Sequence, residues 1–191
     1  MAPNEILSSA RAALVDRGVE ATAIDDLRRA TGLSVGSLYH RFGSKEGLAA
    51  AVYAEALGAY QAEAIAVLRA NSEAEGGVRG LVRAHLAWHE ANPDRARFLH
   101  ENGGLARREP GRAMVAEPNA EFLGEAGRWW RTHVGYGALR DLPFDIAYAQ
   151  WLGAAQEYCR LWLACATRVG MRTAKRALAD GAWNSLRSGG S

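Results

Sequence analysis

The chain has 191 residues, 49% of them hydrophobic and 23% charged, and its 23 basic and 21 acidic side chains leave a net charge of +2. The length suits one domain or a small module joined to a larger one, and the composition excludes an intrinsically disordered chain. No uncharged stretch approaches the roughly 18 residues of a membrane-spanning helix, and no secretory signal opens the sequence. The balanced charge does not single out a nucleic-acid-binding protein, so evidence for that function must come from motifs.

The absence of export signals and the cysteine usage both predict a cytoplasmic protein without a membrane partner. Cys159 and Cys165 lie six residues apart. On one helix this spacing turns their side chains about 120° from each other, which rules out a disulfide. We therefore expect both cysteines to be buried, small apolar residues in a reducing compartment.

Helix-forming residues dominate the sequence and the alternating pattern of strands is absent, which predicts an all-α fold of about nine helices. The first helix carries an apolar stripe and ends before Gly18, a residue suited to a left-handed cap. Thr22 and Asp25 resemble a capping box for the second helix, and Ser34 and Ser44 suit the N-caps of the third and fourth. The predicted helices are, in order, 4–17, a short one ending near 30, 35–41, 45–71, 78–91, 94–101, 117–134, 143–167 and 172–187.

Breaks are expected where glycine or proline interrupts the helical pattern. Gly76 and Gly77 predict a break before the fifth helix, and the segment 102–111 is expected to be irregular or briefly helical. The tail 188–191 contains only serine and glycine, which predicts disorder.

Two short helices joined by the turn 31–34, which contains Gly32, form the pattern of a helix-turn-helix. In that unit the second helix enters the major groove of DNA, and residues near its N-terminus contact base edges. The glycine turn alone is weak evidence for this function. The expected small core between the helices consists of Ile24, Leu27, Leu33, Leu38 and Phe42.

A more specific pattern covers the segment 22–48. Its distinctive parts are Gly32-Leu33-Ser34, Gly36-Ser37-Leu38-Tyr39 and Phe42-Gly43-Ser44-Lys45-Glu46-Gly47-Leu48. On these residues the sequence resembles the tetracycline-repressor (TetR) family of bacterial transcriptional regulators. The resemblance implies an N-terminal DNA-binding domain of three helices over 1–47 and a larger helical domain over 48–187 for ligand binding and dimerisation.

The resemblance also implies which residues contact DNA. Gly36 permits close approach, Ser37 suits a hydrogen bond to a base or phosphate, and Val35 suits contact with a thymine methyl group. Tyr39 is placed on a phosphate, and the Lys45 ammonium meets a phosphate together with the N-terminus of its helix. The full predicted set is Thr22, Ser34, Val35, Gly36, Ser37, Tyr39, His40, Arg41 and Lys45.

For several of these residues a purely structural role is the alternative. Thr22 and Ser34 can act only as helix caps, and Tyr39 can be partly buried packing. Two further positions depart from the family pattern: Ala23 stands where a hydroxyl is usual, and Arg28 where a small residue is usual. We expect Arg28 to extend outward to solvent, and these departures to affect operator affinity rather than the fold.

The larger half is rich in aromatic residues, which suit an apolar or aromatic ligand held by a few polar contacts. The predicted ligand-binding residues are Trp88, His89, Phe98, Trp129, His133, Trp151 and Tyr158. Packing in an ordinary core is the alternative for each of them. In the resembled family the last two helices form the dimer interface as a four-helix bundle. The corresponding predicted interface residues are Ala154, Ala155, Leu161, Leu178 and Ala182.

Together these expectations describe a homodimeric regulator that a small molecule releases from palindromic operator DNA. We expect neither enzymatic activity nor a metal or cofactor. Two alternatives stay open. His85 and His89 are one helical turn apart and suit a metal-dependent enzyme, although the sequence shows no third ligand. The second alternative is a dimeric interaction scaffold that has lost operator binding.

Overall fold

The computed structural model describes residues 3–189, and within them the fold is all-α, as predicted. A 3₁₀ segment, Gly103–Arg107, lies between the sixth and seventh helices. Across residues 3–189 no helix combines the length and the apolar character needed to cross a membrane. Within the described residues 3–189 the nine α-helices are α1 Pro3–Arg17, α2 Ile24–Thr31, α3 Val35–Phe42, α4 Lys45–Ala70, α5 Ala74–Ala91, α6 Pro93–Glu101, α7 Gly111–Gly135, α8 Phe144–Leu163 and α9 Met171–Leu186.

Three predicted helix boundaries are wrong. Helix α5 begins at Ala74, so Gly77 lies inside it; a Cβ there would be 2.0 Å from Trp129 Cζ2, which shows that close packing requires this glycine. Helix α7 begins at Gly111 and accommodates Pro118 in its interior, where the sequence predicted a start. Helix α8 ends at Leu163, and two residues later Cys165 has a left-handed φ of 54°.

The predicted caps are mostly confirmed, but the N-cap of α2 lies one residue later than predicted. Gly18 has the expected left-handed φ of 81°. Ser34 Oγ accepts the backbone N–H of Ser37 at 3.1 Å, as an N-cap should. The N-cap of α2 is Ala23 rather than Thr22, and the Ala23 backbone N–H donates to the Asp26 carboxylate at 3.1 Å. The capping box therefore starts one residue later than predicted and lacks a hydroxyl on its first residue.

The first of two compact units comprises the chain up to Ala59 together with Asn92–Asn119. Its core contains all five predicted helix-turn-helix core residues, three of them partly buried. Phe98 on α6 is also fully buried in this core, because α6 packs against α1. The structure thus places Phe98 in the core of the first unit, and its assignment as a ligand-binding residue stays a prediction. The compact units are discontinuous, and the predicted domain boundary after residue 47 stays a prediction.

A half-buried ion triad joins three helices of the first unit. The Glu55 carboxylate on α4 accepts the Arg11 guanidinium of α1 at 2.8 Å and also pairs with Arg95 of α6. The Arg11 and Glu55 side chains are only 11% and 18% exposed. Charges this sheltered from water depend on one another for their stability.

The second unit comprises Tyr60–Ala91 and the chain from Ala120 onward. Its core is built around large aromatic residues, and the buried Trp151 indole N–H donates to the Val78 carbonyl oxygen at 2.9 Å. Cys159 is buried as expected, whereas Cys165 is exposed, and both are free thiols. In the predicted disordered tail, Ser188 N–H donates to the Ala138 carbonyl at 3.1 Å, so this residue is held in place. Residues 190 and 191 of that tail lie outside the described residues.

Candidate DNA-binding face and effector site

Helix α3 divides its side chains between the core and solvent. Leu38 is 2% exposed and packs in the first unit's core, whereas Val35 and Tyr39 are 37% and 48% exposed. The remaining outward positions are those predicted to contact DNA. Ser34, Gly36, His40 and Arg41 are exposed, and Ser37 is half-buried.

Among the described residues, most arginines close to α3 form ion pairs with nearby carboxylates, and Arg41 on α3 does not. Arg28 extends to solvent as expected and donates to Asp25 at 2.6 Å, which lowers the pKa of that carboxyl. Arg29 pairs with both acids of α2, and Arg17 pairs with Asp26. Within residues 3–189 Arg41 makes no ion pair. Helix α3 therefore carries one guanidinium, that of Arg41, which forms no ion pair with the part of the chain that the structure describes.

Thr22 and Lys45 donate hydrogen bonds to backbone carbonyl oxygens of the protein itself, which the sequence did not predict. Thr22 is 1% exposed, and its hydroxyl donates to the Gly18 carbonyl at 2.6 Å, so this hydroxyl is not presented to a phosphate. Lys45 Nζ donates to the carbonyl oxygens of Glu20 and Thr22 at 2.9 and 3.1 Å. A phosphate contact therefore requires Lys45 to share or leave these carbonyls. Beside it, backbone and Ser44 hydroxyl hydrogen bonds lower the pKa of Glu46.

In the second unit, an aromatic cluster surrounds two histidines. Tyr60 of α4 lies with its ring 5.3 Å from His85 and 5.4 Å from Trp88, both on α5. The His85 and His89 rings are 4.3 Å apart. Phe122 lies 6.4 Å from Tyr60. Trp88 and His89, two of the predicted ligand-binding residues, thus lie in a ring cluster with partners from α4 and α7.

The two histidines meet a cysteine from a distant part of the sequence. Cys159 of α8 offers its Sγ within 4.8 Å of one ring nitrogen of each histidine, and all three residues are buried. Burial raises the pKa of the Cys159 thiol to about 12, so without a metal the thiol is protonated. Burial also raises the pKa of Tyr60, whose hydroxyl lies 2.9 Å from His85 Nδ1.

The other predicted ligand-binding residues lie in a second group. The Trp129 ring is 4.2 Å from His133 and 5.3 Å from Trp151. The Trp129 indole N–H donates to the Asn71 carbonyl at 3.0 Å, and burial lowers the pKa of His133. Tyr158 is half-buried against the core of this unit, and its hydroxyl donates to the Val169 carbonyl at 2.6 Å.

Sequence reasoning missed three members of the first cluster. Tyr60 lies on the apolar side of α4, and that pattern was the only available signal for it. The aromatic Phe122 and the thiol of Cys159 carried no signal, because their helices approach α5 only in the folded chain.

Small and apolar residues line a groove between α8 and α9, where the dimer interface is predicted. Ala154 is exposed and Leu178 is half-buried, and both line this groove. Ala155 and Ala182 also line it but are 1% and 6% exposed, because they pack in the unit's own core. They can therefore add little contact area of their own. The fifth predicted residue, Leu161, is half-buried.

Comparisons with known proteins agree with the fold and with the N-terminal motif. Residues 6–52 match the model of the family described as bacterial regulatory proteins, tetR family. No curated protein sequence matches the chain significantly.

Solved structures with this fold cover nearly the whole chain. The TetR-family regulator PfmR of Thermus thermophilus is 25% identical, with 94% of this chain and 97% of that chain covered and a TM-score of 0.73. A TetR-family protein of Vibrio parahaemolyticus has a TM-score of 0.80 at 14% identity, with 98% and 99% covered.

A third solved structure carries a ligand. The regulator FadR of Bacillus subtilis, in complex with stearoyl-CoA, has a TM-score of 0.76 at 13% identity, with 93% of this chain and 95% of that chain covered. The resemblance seen in the sequence is thus confirmed: the chain carries the N-terminal segment of the tetR family of bacterial regulatory proteins on the fold of TetR-family transcription regulators.

Proposed function

We propose that the protein is a homodimeric transcriptional repressor that binds palindromic operator DNA through α3 and leaves it when a small molecule binds the second unit. Such a protein acts on the chromosome, in the cytoplasm of a bacterial cell. The observation that carries the DNA-binding part is the division of α3. One side is anchored by Leu38, and the other exposes Val35, Tyr39 and the unpaired Arg41.

Each exposed group of α3 suits one kind of DNA contact. Val35 offers an apolar surface for a thymine methyl group near the start of the helix. Tyr39 offers a phenol hydroxyl and Arg41 a guanidinium for phosphates, which fix the orientation of the helix on the duplex. Because no carboxylate lies on α3, nothing on this helix repels the backbone of the DNA.

Fluorescence anisotropy tests this part directly. Labelled DNA from upstream of the protein's own gene is titrated at two salt concentrations, with unlabelled competitor DNA present. We expect salt-sensitive binding that the competitor does not remove. Loss of one phosphate contact in Arg41→Ala should reduce the slope of log K against log salt by about 0.9.

Two matched variants control for charge and for the phenol group. Arg128→Ala removes an equally charged side chain that is 62% exposed in the second unit, and it should leave DNA binding unchanged. Tyr39→Phe should weaken binding, whereas Tyr136→Phe, which alters a tyrosine that is 80% exposed, should not. Weak binding that is equal for all sequences and unaffected by these variants would support the scaffold alternative.

The homodimer is supported by the small side chains along α8 and α9. Exposed Ala154 and Gly181 permit close approach of a second copy, and Leu178 adds apolar surface beside them. Light scattering should therefore give a dimer for the natural protein and a monomer for Ala154→Arg. Gln156→Arg, about 200° further round the same helix, should stay dimeric; dimers of both variants would place the interface elsewhere.

An apolar or aromatic effector is supported by the buried ring cluster of Tyr60, Trp88 and Phe122, with histidine as its polar part. The complex of FadR with stearoyl-CoA shows that a regulator of this fold can be found with an acyl compound. A thermal-shift screen should test stearoyl-CoA, free fatty acids and aromatic acids. A true effector raises the Tm by mass action and also weakens operator binding, because it favours the state that does not bind DNA.

A variant pair links the thermal shift to the cluster. Trp88→Phe keeps an aromatic ring and should reduce the ligand-induced shift, whereas Trp183→Phe on α9 should retain it. A compound that raises the Tm but leaves DNA affinity unchanged would contradict the release mechanism.

A further inference from the structure

The second unit brings three metal-ligating side chains to one point, although only two of them are close in sequence. His85 and His89 lie one turn apart on α5, and Cys159 comes from α8, which packs against α5. The three candidate ligand atoms all lie within 4.8 Å of one another. The residues are 4%, 5% and 0% exposed, respectively.

Hydrogen bonds at Nδ1 orient both imidazole rings. His89 Nδ1 lies 2.8 Å from the His85 carbonyl oxygen, which can only accept, so Nδ1 carries the proton and donates. The lone pair of His89 is therefore on Nε2. Metal-bound histidines typically have this arrangement, in which the second nitrogen donates to a carbonyl or carboxylate. The Tyr60 hydroxyl lies 2.9 Å from His85 Nδ1, where it can accept the Nδ1–H of the tautomer that has its lone pair on Nε2.

We propose that His85, His89 and Cys159 form a binding site for a zinc-class transition-metal ion. Two imidazoles and one thiolate are ligands that zinc prefers, whereas Mg²⁺ and Ca²⁺ require oxygen donors. Ligand atoms around tetrahedral zinc are about 3.5 Å apart, given bond lengths of about 2.0–2.3 Å. Ligand atoms that lie within 4.8 Å of one another must therefore approach by about 1 Å to bind one tetrahedral ion.

All three ligand side chains are buried in the second unit, so an ion bound by them would be shielded from bulk solvent. On binding, the Cys159 thiol loses its proton to solvent, and the thiolate offsets one of the two metal charges. A water molecule or an anion is then needed at the fourth position of a tetrahedral ion.

The proposal rests on the packing of α5 against α8 and not on DNA binding, so either can fail without the other. The test uses the full-length protein, reduced and stripped with a chelator, and Co²⁺ as the probe. We expect saturation at one Co²⁺ per chain, with intense tetrahedral visible bands and a thiolate-to-cobalt charge-transfer band. Zn²⁺ should displace the cobalt, whereas excess Mg²⁺ should not.

Matched variants identify the ligands. Cys159→Ser should abolish the charge-transfer band and lower Co²⁺ affinity at least about tenfold, whereas Cys165→Ser, at an exposed cysteine six residues further on, should change neither. His89→Gln should lose affinity and His133→Gln should retain it. Tyr60→Phe tests the positioning role of the phenol: the charge-transfer band should persist, with affinity lowered about tenfold.

A measurement on the natural protein covers the case in which a variant fails to fold. Zinc X-ray absorption of the loaded protein should show one sulfur and two imidazole nitrogens at bonding distance. Absence of one-equivalent binding, a metal shell without sulfur, or a charge-transfer band that survives Cys159→Ser overturns the proposal.

Discussion

The two compact units differ in where the polar groups of their candidate binding sites lie. In the first unit, the polar residues of the candidate DNA-binding face are exposed on α3, and Glu55 forms ion pairs with Arg11 and Arg95. In the second unit, the polar groups of the candidate binding site lie inside the core: His85, His89 and the Tyr60 hydroxyl are enclosed by aromatic rings. The candidate binding groups of the first unit therefore lie at its surface, and those of the second unit lie in its core.

This difference explains how each unit can recognise a partner. A surface for DNA must be rigid and already exposed, because the duplex cannot enter the protein core. A site for a small molecule or a metal ion gains selectivity by removing its ligand from water. Substitutions in each unit can test whether the first depends on its ion pairs between helices and the second on the packing and polar groups of its core.

The largest effect is expected from the ion triad of the first unit. Glu55→Ala leaves the half-buried Arg11 and Arg95 without their carboxylate, and this should lower the free energy of unfolding by about 3 kcal/mol. Urea denaturation followed by circular dichroism measures the change. Glu157→Ala, which removes a 56% exposed carboxylate paired within α8, should be nearly neutral. Equal effects of the two variants would show that the triad contributes no more than a surface pair.

The second prediction concerns packing inside the second unit. Gly77→Ala places a methyl group 2.0 Å from Trp129 Cζ2, so the ring must move and the free energy of unfolding should fall by about 1–3 kcal/mol. Thermal and urea unfolding measure the loss. Gly58 on α4 provides the matched control, because a Cβ there has no neighbour within 4 Å. Gly58→Ala should therefore stabilise the protein by up to about 1 kcal/mol, and destabilisation by both variants would contradict this account.

The same contrast shows what could be predicted from the sequence. Periodicity and capping residues predicted the all-α fold and most helix boundaries, because these depend on residues a few positions apart. The outward residues of α3 were predicted from the family resemblance of the segment 22–48, in which they lie close together in sequence. The grouping of Cys159 with His85 and His89 was not predictable, because it depends on the packing of α5 against α8, and Cys159 lies 70 residues after His89 in the sequence.

Errors in the sequence predictions have equally specific causes. Gly77 was taken as a helix break, but it is a contact for Trp129, and only the tertiary structure reveals that neighbour. Phe98 was grouped with the tryptophans because it is aromatic, and nothing in the sequence indicated that it packs in the core of the first unit. Thr22 was predicted to be a cap and a phosphate ligand, but its hydroxyl donates a hydrogen bond to the Gly18 carbonyl in the preceding turn.

The third prediction separates stability from DNA binding at Thr22. Thr22→Val keeps the buried shape but removes the hydroxyl that donates to Gly18, so it should cost about 1 kcal/mol of unfolding free energy. Because this hydroxyl does not face solvent, the salt dependence of DNA binding should be unchanged. Thr22→Ser retains the hydroxyl and controls for the hydrogen bond. A salt slope reduced by about 0.9 in Thr22→Val would instead restore Thr22 as a phosphate ligand.

The smallest effect is a pH dependence that originates inside the second unit. Burial lowers the pKa of His133 in the folded state, so the unfolded chain takes up this proton first as the pH falls through about 6.5. The unfolded state then binds more protons than the folded state, and stability must decrease as the pH falls from 7 to 5. His133→Phe keeps a ring beside Trp129 but cannot titrate, so its stability should decrease less over this range. The other histidines are common to both proteins and cancel in the difference. Chemical denaturation at pH 7, 6 and 5 measures that difference. Identical pH dependences would mean that water reaches the imidazole of His133, and that the second unit does not shelter its polar groups at this position.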